Sequence, residues 1–209
     1  SAGYVQSSAS DGQFFVTLRV RDLSEGFTDR EWISGVAAPE MGELLRKMRW
    51  PSDLTTLDGA AMFIRESTHR FSPLSFERAM VGIRMPLLLT ASGRAYLAAC
   101  DKEEQEQLIR LAASDPEQAA IATNRKLVSQ MIAQVRKQGY ASNEGDWHKG
   151  SRTSALAVAV HGHGRVLGCL NVIYAKRAAS LKEACARFLP LLREASREIE
   201  VRLERDAAG

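Results

Sequence analysis

The stretch TSALAVAVHGHGRVLGCLNVIY, Thr153–Tyr174, decides the fold class. Thr153 to Val160 and Arg165 to Tyr174 are apolar runs rich in β-branched residues, which reads as two strands. His161-Gly162-His163-Gly164 joins them through a turn. Further on, Leu181, Cys185, Phe188, Leu192, Ala195, Ile199 and Leu203 mark one face of a long amphipathic helix. The strands are joined by hairpins and by long helical excursions, without the β-α-β-α alternation of a doubly wound nucleotide fold. The expected class is therefore α+β, an antiparallel sheet flanked by helices.

The same reading extends toward the N-terminus. Tyr140 to Glu144 is a short strand. Before it, Ser114, Asp115 and Pro116 break the chain and start a helix running to about Gln138, with Gly139 placed to end it. Lys102 to Ala113 is a charged helix, and Thr90 to Cys100 is another. Met80 to Arg84 reads as a short strand ended by Pro86, after a polar, irregular segment from Ser67 to Ala79. Asp53 to Leu57 and Ala60 to Glu66 form a hairpin about Asp58-Gly59. Trp32, Ile33, Val36, Met41, Leu44, Leu45 and Met48 recur at helical spacing, and Pro39 should kink or restart that helix. Val20 to Phe27 reads as a short helix. Gly3 to Gln6 and Gln13 to Arg19 read as two further strands that turn near Ser10-Asp11-Gly12.

Composition bounds the function. The chain has 209 residues, 45% hydrophobic and 25% charged, with a formal charge of +3, too small to argue for nucleic acid by itself. It contains neither an apolar run of the roughly 18 residues needed to span a bilayer nor a secretory leader pattern. Cys100, Cys169 and Cys185 do not form a Cys-x-x-Cys pair, and three buried thiols suit a reducing cytoplasm. Gly-x-Gly-x-x-Gly, phosphate-loop and Gly-x-Ser-x-Gly patterns are all lacking. His161 and His163 raise the question of a metal, with Asp146 and His148 upstream, but glycine-flanked histidines in a turn read first as exposed turn residues. The expectation is a binding module with no catalytic residues, no cofactor and no metal.

Where a ligand would sit follows from local chemistry. Thr90-Ala91-Ser92-Gly93 opens a helix, where unpaired amides and the helix dipole favour an anion such as a carboxylate. The alternative is that Thr90 merely caps the helix and the small residues allow close packing. Asn143, Thr153, Ser154 and Asn171 are further polar candidates. Asn171 interrupts an apolar strand, so it is either buried with partners or on an exposed sheet face. Trp147, in a loop, either covers an aromatic ligand or caps the core. Arg65, His69, Arg70, Arg78 and Arg84 form a basic stretch that would steer an anion, although most such charges are solvated surface.

Val81-Gly82-Ile83-Arg84-Met85-Pro86-Leu87 followed by Thr90-Ala91-Ser92-Gly93-Arg94-Ala95-Tyr96-Leu97-Ala98 resembles the effector domain of IclR-type transcription regulators. So do Arg136 to Tyr140, Lys149-Gly150-Ser151-Arg152, Arg165 to Asn171, and Leu189-Pro190-Leu191-Leu192. The resemblance keeps the family's order across essentially the whole chain. It implies a GAF/PAS-like effector domain at 29–209, preceded at 1–28 by a fragment of a winged helix-turn-helix and a linker helix. It also implies operator binding through the full-length winged domain, whose recognition helix this chain lacks, and a homodimer or homotetramer. The family's pocket positions fall on Ala91 and Ser92 at the helix start, then on Asn143, Thr153, Asn171 and Ile173. Asn143 stands where an acidic residue is common, and Ile173 where a serine is usual, which suits an aromatic ring better than a small keto acid. Leu23 to Phe27, Trp32 to Ser34, Thr56 to Asp58 and Thr68 to Phe76 resemble family members that activate aromatic-acid catabolism. They imply a small aromatic carboxylic acid, such as a phenolic propionate, as effector. The rivals are a GAF-like sensor for a non-aromatic carboxylate and a small enzyme acting on an aromatic acid.

Overall fold

The computed structural model describes residues 32–145 and 151–206, together with the backbone of two short strands, β1 (Val5–Ser7) and β2 (Phe14–Val16). These two pair antiparallel, Val5 opposite Val16, as the expected hairpin requires. Its turn and the expected linker helix at Val20–Phe27 lie outside the described residues.

The main sheet has six strands: β3 (Ser52–Asp58), β4 (Ala61–Ser67), β5 (Arg84–Pro86), β6 (Ala141–Asn143), β7 (Thr153–Gly162) and β8 (Arg165–Ala175). Their order is β5-β4-β3-β8-β7-β6, and every pairing is antiparallel. The central β7–β8 hairpin is longer than expected, because the strands continue through Gly162 and only His163 and Gly164 form the turn. Both turn residues have positive φ, 53° and 75°, the geometry of a two-residue type I′ connection. That explains why a glycine follows His163.

Helices cover both faces, and the period-2 alternation of the strands serves both. On one face a π-type turn at Ile33–Ala37 runs into α1 (Ala38–Met48), which packs beside α6 (Leu181–Asp206). The change of helix type falls where Pro39 enters the first turn of α1, so the proline restarts the helix as expected. Leu54, Leu156, Val158, Val160, Leu170 and Val172 are buried with these helices, and Tyr174 meets Phe188 ring to ring at 5.7 Å. On the other face lie α2 (Ala91–Ala99), α3 (Lys102–Ala113), α4 (Ala119–Ala122) and α5 (Arg125–Gln138). There β7 presents Ala155, Ala157 and Ala159, small side chains that let the Ala-rich α2 lie close to the sheet.

Two further expectations shift. The helix expected from Pro116 to Gln138 is two helices, because the Asn124 side chain accepts from Leu127 N–H and caps a fresh start. The strand expected at Met80–Arg84 begins only at Arg84. Its predecessor is a turn in which Gly82, at φ 91°, donates to the Ile64 carbonyl. Among the described residues no helix is long and apolar enough to cross a membrane.

Candidate functional site

A cavity of about 360 Å³ lies on the α2 side of the sheet. That volume is within the range of small-molecule sites. Eight of the ten candidate residues line it: Thr90, Ala91 and Ser92 from the start of α2, Asn143 from β6, Thr153 and Ser154 from β7, and Asn171 and Ile173 from β8. Of the other two, Trp147 lies outside the described residues. Gly93 belongs to the same turn but is absent from the wall. A Cβ there would stand 1.9 Å from the Leu87 carbonyl oxygen, so close backbone packing is what Gly93 provides.

The α2 start is capped. The Thr90 hydroxyl accepts from Gly93 N–H at 3.2 Å and donates to the Pro86 carbonyl at 2.9 Å. The Thr90 carbonyl takes Arg94 N–H. The amides of Ala91 and Ser92 keep no acceptor among the described residues, so Thr90 caps the helix and leaves two first-turn donors.

Alternation puts Asn171 and Ile173 on the Cys169 face of β8, opposite Leu170, which is sealed in the core beneath α6. Leu170 therefore does not reach the cavity. Asn171 is buried and satisfied: its Oδ1 accepts from Asp53 N–H at 2.8 Å and its Nδ2 donates to Ser92 Oγ at 3.1 Å. Asn143 donates to the Leu89 carbonyl and accepts from Gly145 N–H, pinning β6 to the turn before α2. Thr153 Oγ1 lies 3.1 Å from Ser151 Oγ.

Two residues that the sequence patterns leave out of the site stand in its wall. Asp53, on β3, is the cross-strand partner of both Ser67 and Asn171. His69 follows the end of β4, held because the neighbouring Thr68 hydroxyl accepts from Ser52 N–H at 2.8 Å. Their side chains are 2% and 5% exposed, with His69 Nε2 at 3.7 Å from Asp53 Oδ1. Burial raises the Asp53 carboxyl above its ordinary range, against the opposing pull of His69 and of hydrogen bonds from Ser67 and Asn171. The available signal was a polar residue, Asp53, immediately before an apolar strand position. His69 is hidden among arginines, and only burial separates it from them. Arg84 pairs with Asp58, while Arg65 lies over the Phe63 ring and donates to Thr56. No lysine or arginine lines the cavity among the described residues.

The rest of the wall is largely apolar. Ile83, Met85 and Ile173 form one part, and Trp50, Leu74, Phe76, Met80 and Tyr174 another. Phe76 remains 56% exposed, in the irregular segment bordering the cavity. Cys169 is fully buried and donates to the Ser92 carbonyl at 3.2 Å, and burial pushes its thiol well up. The three cysteines are unpaired. Among the described residues no three His, Cys, Asp or Glu side chains cluster as a metal site. His161 instead pairs with Glu200 on α6.

A sheet covered on both faces, with a mainly apolar cavity under a capped helix start, has the form of a small-molecule-binding domain. Residues 26–201 match the family described as bacterial transcriptional regulator IclR C-terminal, and the chain belongs to that family. It is the ligand-binding domain of an IclR-family transcriptional regulator, and its curated relatives are likewise regulators, not enzymes. It is 25% identical to the Pca regulon regulatory protein of Pseudomonas putida over 193 residues, 92% of this chain and 66% of that protein. It spans roughly two thirds to three quarters of the curated relatives it matches. The fold is shared with Thermotoga maritima IclR, with TM-score 0.72 and 18% identity over 96% of this chain and 80% of that one. It is shared too with an IclR homolog from Microbacterium hydrocarbonoxydans complexed with 4-hydroxybenzoate. There the TM-score is 0.69, with 20% identity over 97% of this chain and 80% of the other.

Proposed function

We propose that this chain senses a small aromatic carboxylic acid, resembling 3-(3-hydroxyphenyl)propionate, for a regulator that activates catabolism of such acids. The observation that carries the reading is the cavity itself: eight residues picked from sequence as effector contacts converge on one space of about 360 Å³. The carboxylate takes the free Ala91 and Ser92 amides at the Thr90–Gly93 helix start, where the helix dipole favours an anion. The ring packs against Ile173, Ile83 and Met85. Thr153, Ser154, Asn143 and Asn171 supply the polar rim. The shared fold with a protein bound to 4-hydroxybenzoate supports an aromatic ligand of this size.

Residues 29–209 act as the effector domain, and 1–28 are the end of a winged-helix domain and its linker. Operator DNA is bound by the full-length protein through that winged domain. The chain associates as a homodimer or homotetramer, and the effector shifts the balance between two arrangements of the subunits by binding one more tightly. Calorimetric titration of 3-(3-hydroxyphenyl)propionate into the chain should show saturable one-site binding. Ser92→Trp, which fills the cavity at the helix start, should abolish it with the fold intact. Unchanged affinity in that folded variant would remove the site assignment.

A further inference from the structure

Asp53 Oδ1 and His69 Nε2 are the buried side-chain polar atoms that lack any hydrogen-bond partner among the described residues. Both belong to residues lining the cavity. At 3.7 Å they are too far apart to bond each other, yet close enough for one oxygen, about 2.8 Å from each, to bond both. Buried polar atoms are seldom left unpaired, so two of them 3.7 Å apart, on residues that line the cavity, mark a place for a third group.

The hydrogen-bond roles of the pair narrow the choice to a group that both donates and accepts. Ser75 Oγ donates its single proton to the Glu77 carbonyl at 2.5 Å, so at 2.7 Å from His69 Nδ1 it can only accept. His69 Nδ1 therefore carries a hydrogen, and Nε2 is bare when the ring is neutral. Burial disfavours a net charge, and the pair is neutral when it holds one titratable proton, on Asp53 or on His69 Nε2. Either way it offers one donor and one acceptor. A carboxylate brings acceptors only and an ammonium donors only. A hydroxyl brings one of each.

We propose that Asp53 and His69 form a subsite for a hydroxyl group of the effector and select hydroxylated aromatic acids over their unsubstituted counterparts. This rests on the reading that the cavity holds an aromatic acid. The hydroxyl donates to whichever atom of the pair is bare and accepts from the other. Ser75 and Asn171 are the positioning residues, the first fixing the imidazole tautomer and the second holding the Asp53 backbone.

The test is calorimetric titration of three probes: 3-(3-hydroxyphenyl)propionate, 3-phenylpropionate and 3-methylphenol. They are titrated into the wild-type chain, Asp53→Asn and His69→Gln, with circular dichroism to check folding. The wild type should prefer the hydroxylated acid by about tenfold or more, as expected for a buried hydrogen-bonded hydroxyl. Each folded variant should lose most of that preference, read as the ratio of the two acids' dissociation constants. Imidazole ¹⁵N resonances of the wild type provide a readout that needs no variant: His69 Nε2 should shift with the hydroxylated acid and stay in place with 3-phenylpropionate. Equal wild-type affinity for the two acids would overturn the subsite and leave the aromatic-acid reading standing. A preference that survives in both folded variants would do the same. Binding of 3-methylphenol, weakened by Asp53→Asn, with neither acid bound would keep the subsite and sink the acid. Failure of all three probes to bind would sink both.

Discussion

Gly93 shows how one distance separates a ligand contact from a packing requirement. Its place in Thr90-Ala91-Ser92-Gly93 suggests a small residue left open for an effector. The 1.9 Å separation between a notional Cβ and the Leu87 carbonyl oxygen shows that the space is already filled by backbone. Backbone cannot swing aside as a flexible side chain would. Gly93→Ala must therefore move the turn before α2 or the helix itself, and overpacking of this kind costs about 1–3 kcal/mol, occasionally more. Chemical denaturation should show the loss as a lower midpoint with an unchanged slope. An alanine variant as stable as the parent would mean that this turn adjusts freely, and that the glycine is there for a ligand after all. The same scale accounts for Asn171. Its interruption of an apolar strand is plain in the sequence, but its satisfaction is not, because its two partners lie 79 and 118 residues away.

At the scale of elements, legibility follows how local the deciding forces are. Helix α3 lies at Lys102–Ala113 as its pattern predicts, because Asp101 caps it locally by accepting from Glu104 N–H at 2.9 Å. The break at Asn124 escapes notice because the surrounding residues favour helix, and a single side-chain cap decides it. The β7–β8 turn shows the reverse: the His-Gly alternation reads as a loop, while pairing across the sheet carries the strands two residues further. That turn also positions His161 against α6. Glu200 Oε1 accepts from the His161 backbone N–H at 2.8 Å and lies 3.2 Å from its Nδ1. The bond to Glu200 raises His161 above its ordinary 6.5, with burial opposing and the Glu200 charge adding. Burial works against Glu200, but its hydrogen bonds to His161 and the imidazolium charge hold it below its ordinary 4.5. A raised histidine stabilises the fold fully below 6.5 and loses that contribution as pH climbs through its folded value. A depressed carboxyl stabilises above 4.5 and loses its contribution as pH falls through its own. The ionic part of this strand-to-helix link is thus greatest between about pH 4.5 and 6.5. Glu200→Gln should lower the denaturation midpoint more at pH 5.5 than at pH 8.5. Because His161 is half exposed, the difference should stay within about 1 kcal/mol. An equal loss at both pH values would show that the ionic part of the link contributes nothing.

For the whole molecule, the sheet order β5-β4-β3-β8-β7-β6 makes the site and also hides it from the sequence. The alternation of β8 can be read locally, whereas the fact that β3 is its neighbour cannot. That neighbour brings Asp53 beside Asn171, and β4 then carries His69 to the same place. The wall therefore joins two stretches of chain, residues 50–92, from the β3–β4 hairpin to the start of α2, and residues 143–174, from β6 to β8. A ligand held there contacts both, so it should stabilise them as one unit. At about one hundred times its dissociation constant, a ligand binding only the folded state adds about 2.7 kcal/mol. For a domain of this size that corresponds to roughly 5–10 °C in Tm. Scanning calorimetry with saturating 3-(3-hydroxyphenyl)propionate should show a single endotherm moving up by that amount, and no movement in Ser92→Trp. Were the sheet to melt in two steps with only the later one responding to the acid, the ligand would be seated on one half alone. The shared wall of β3 and β8 would then not be its site.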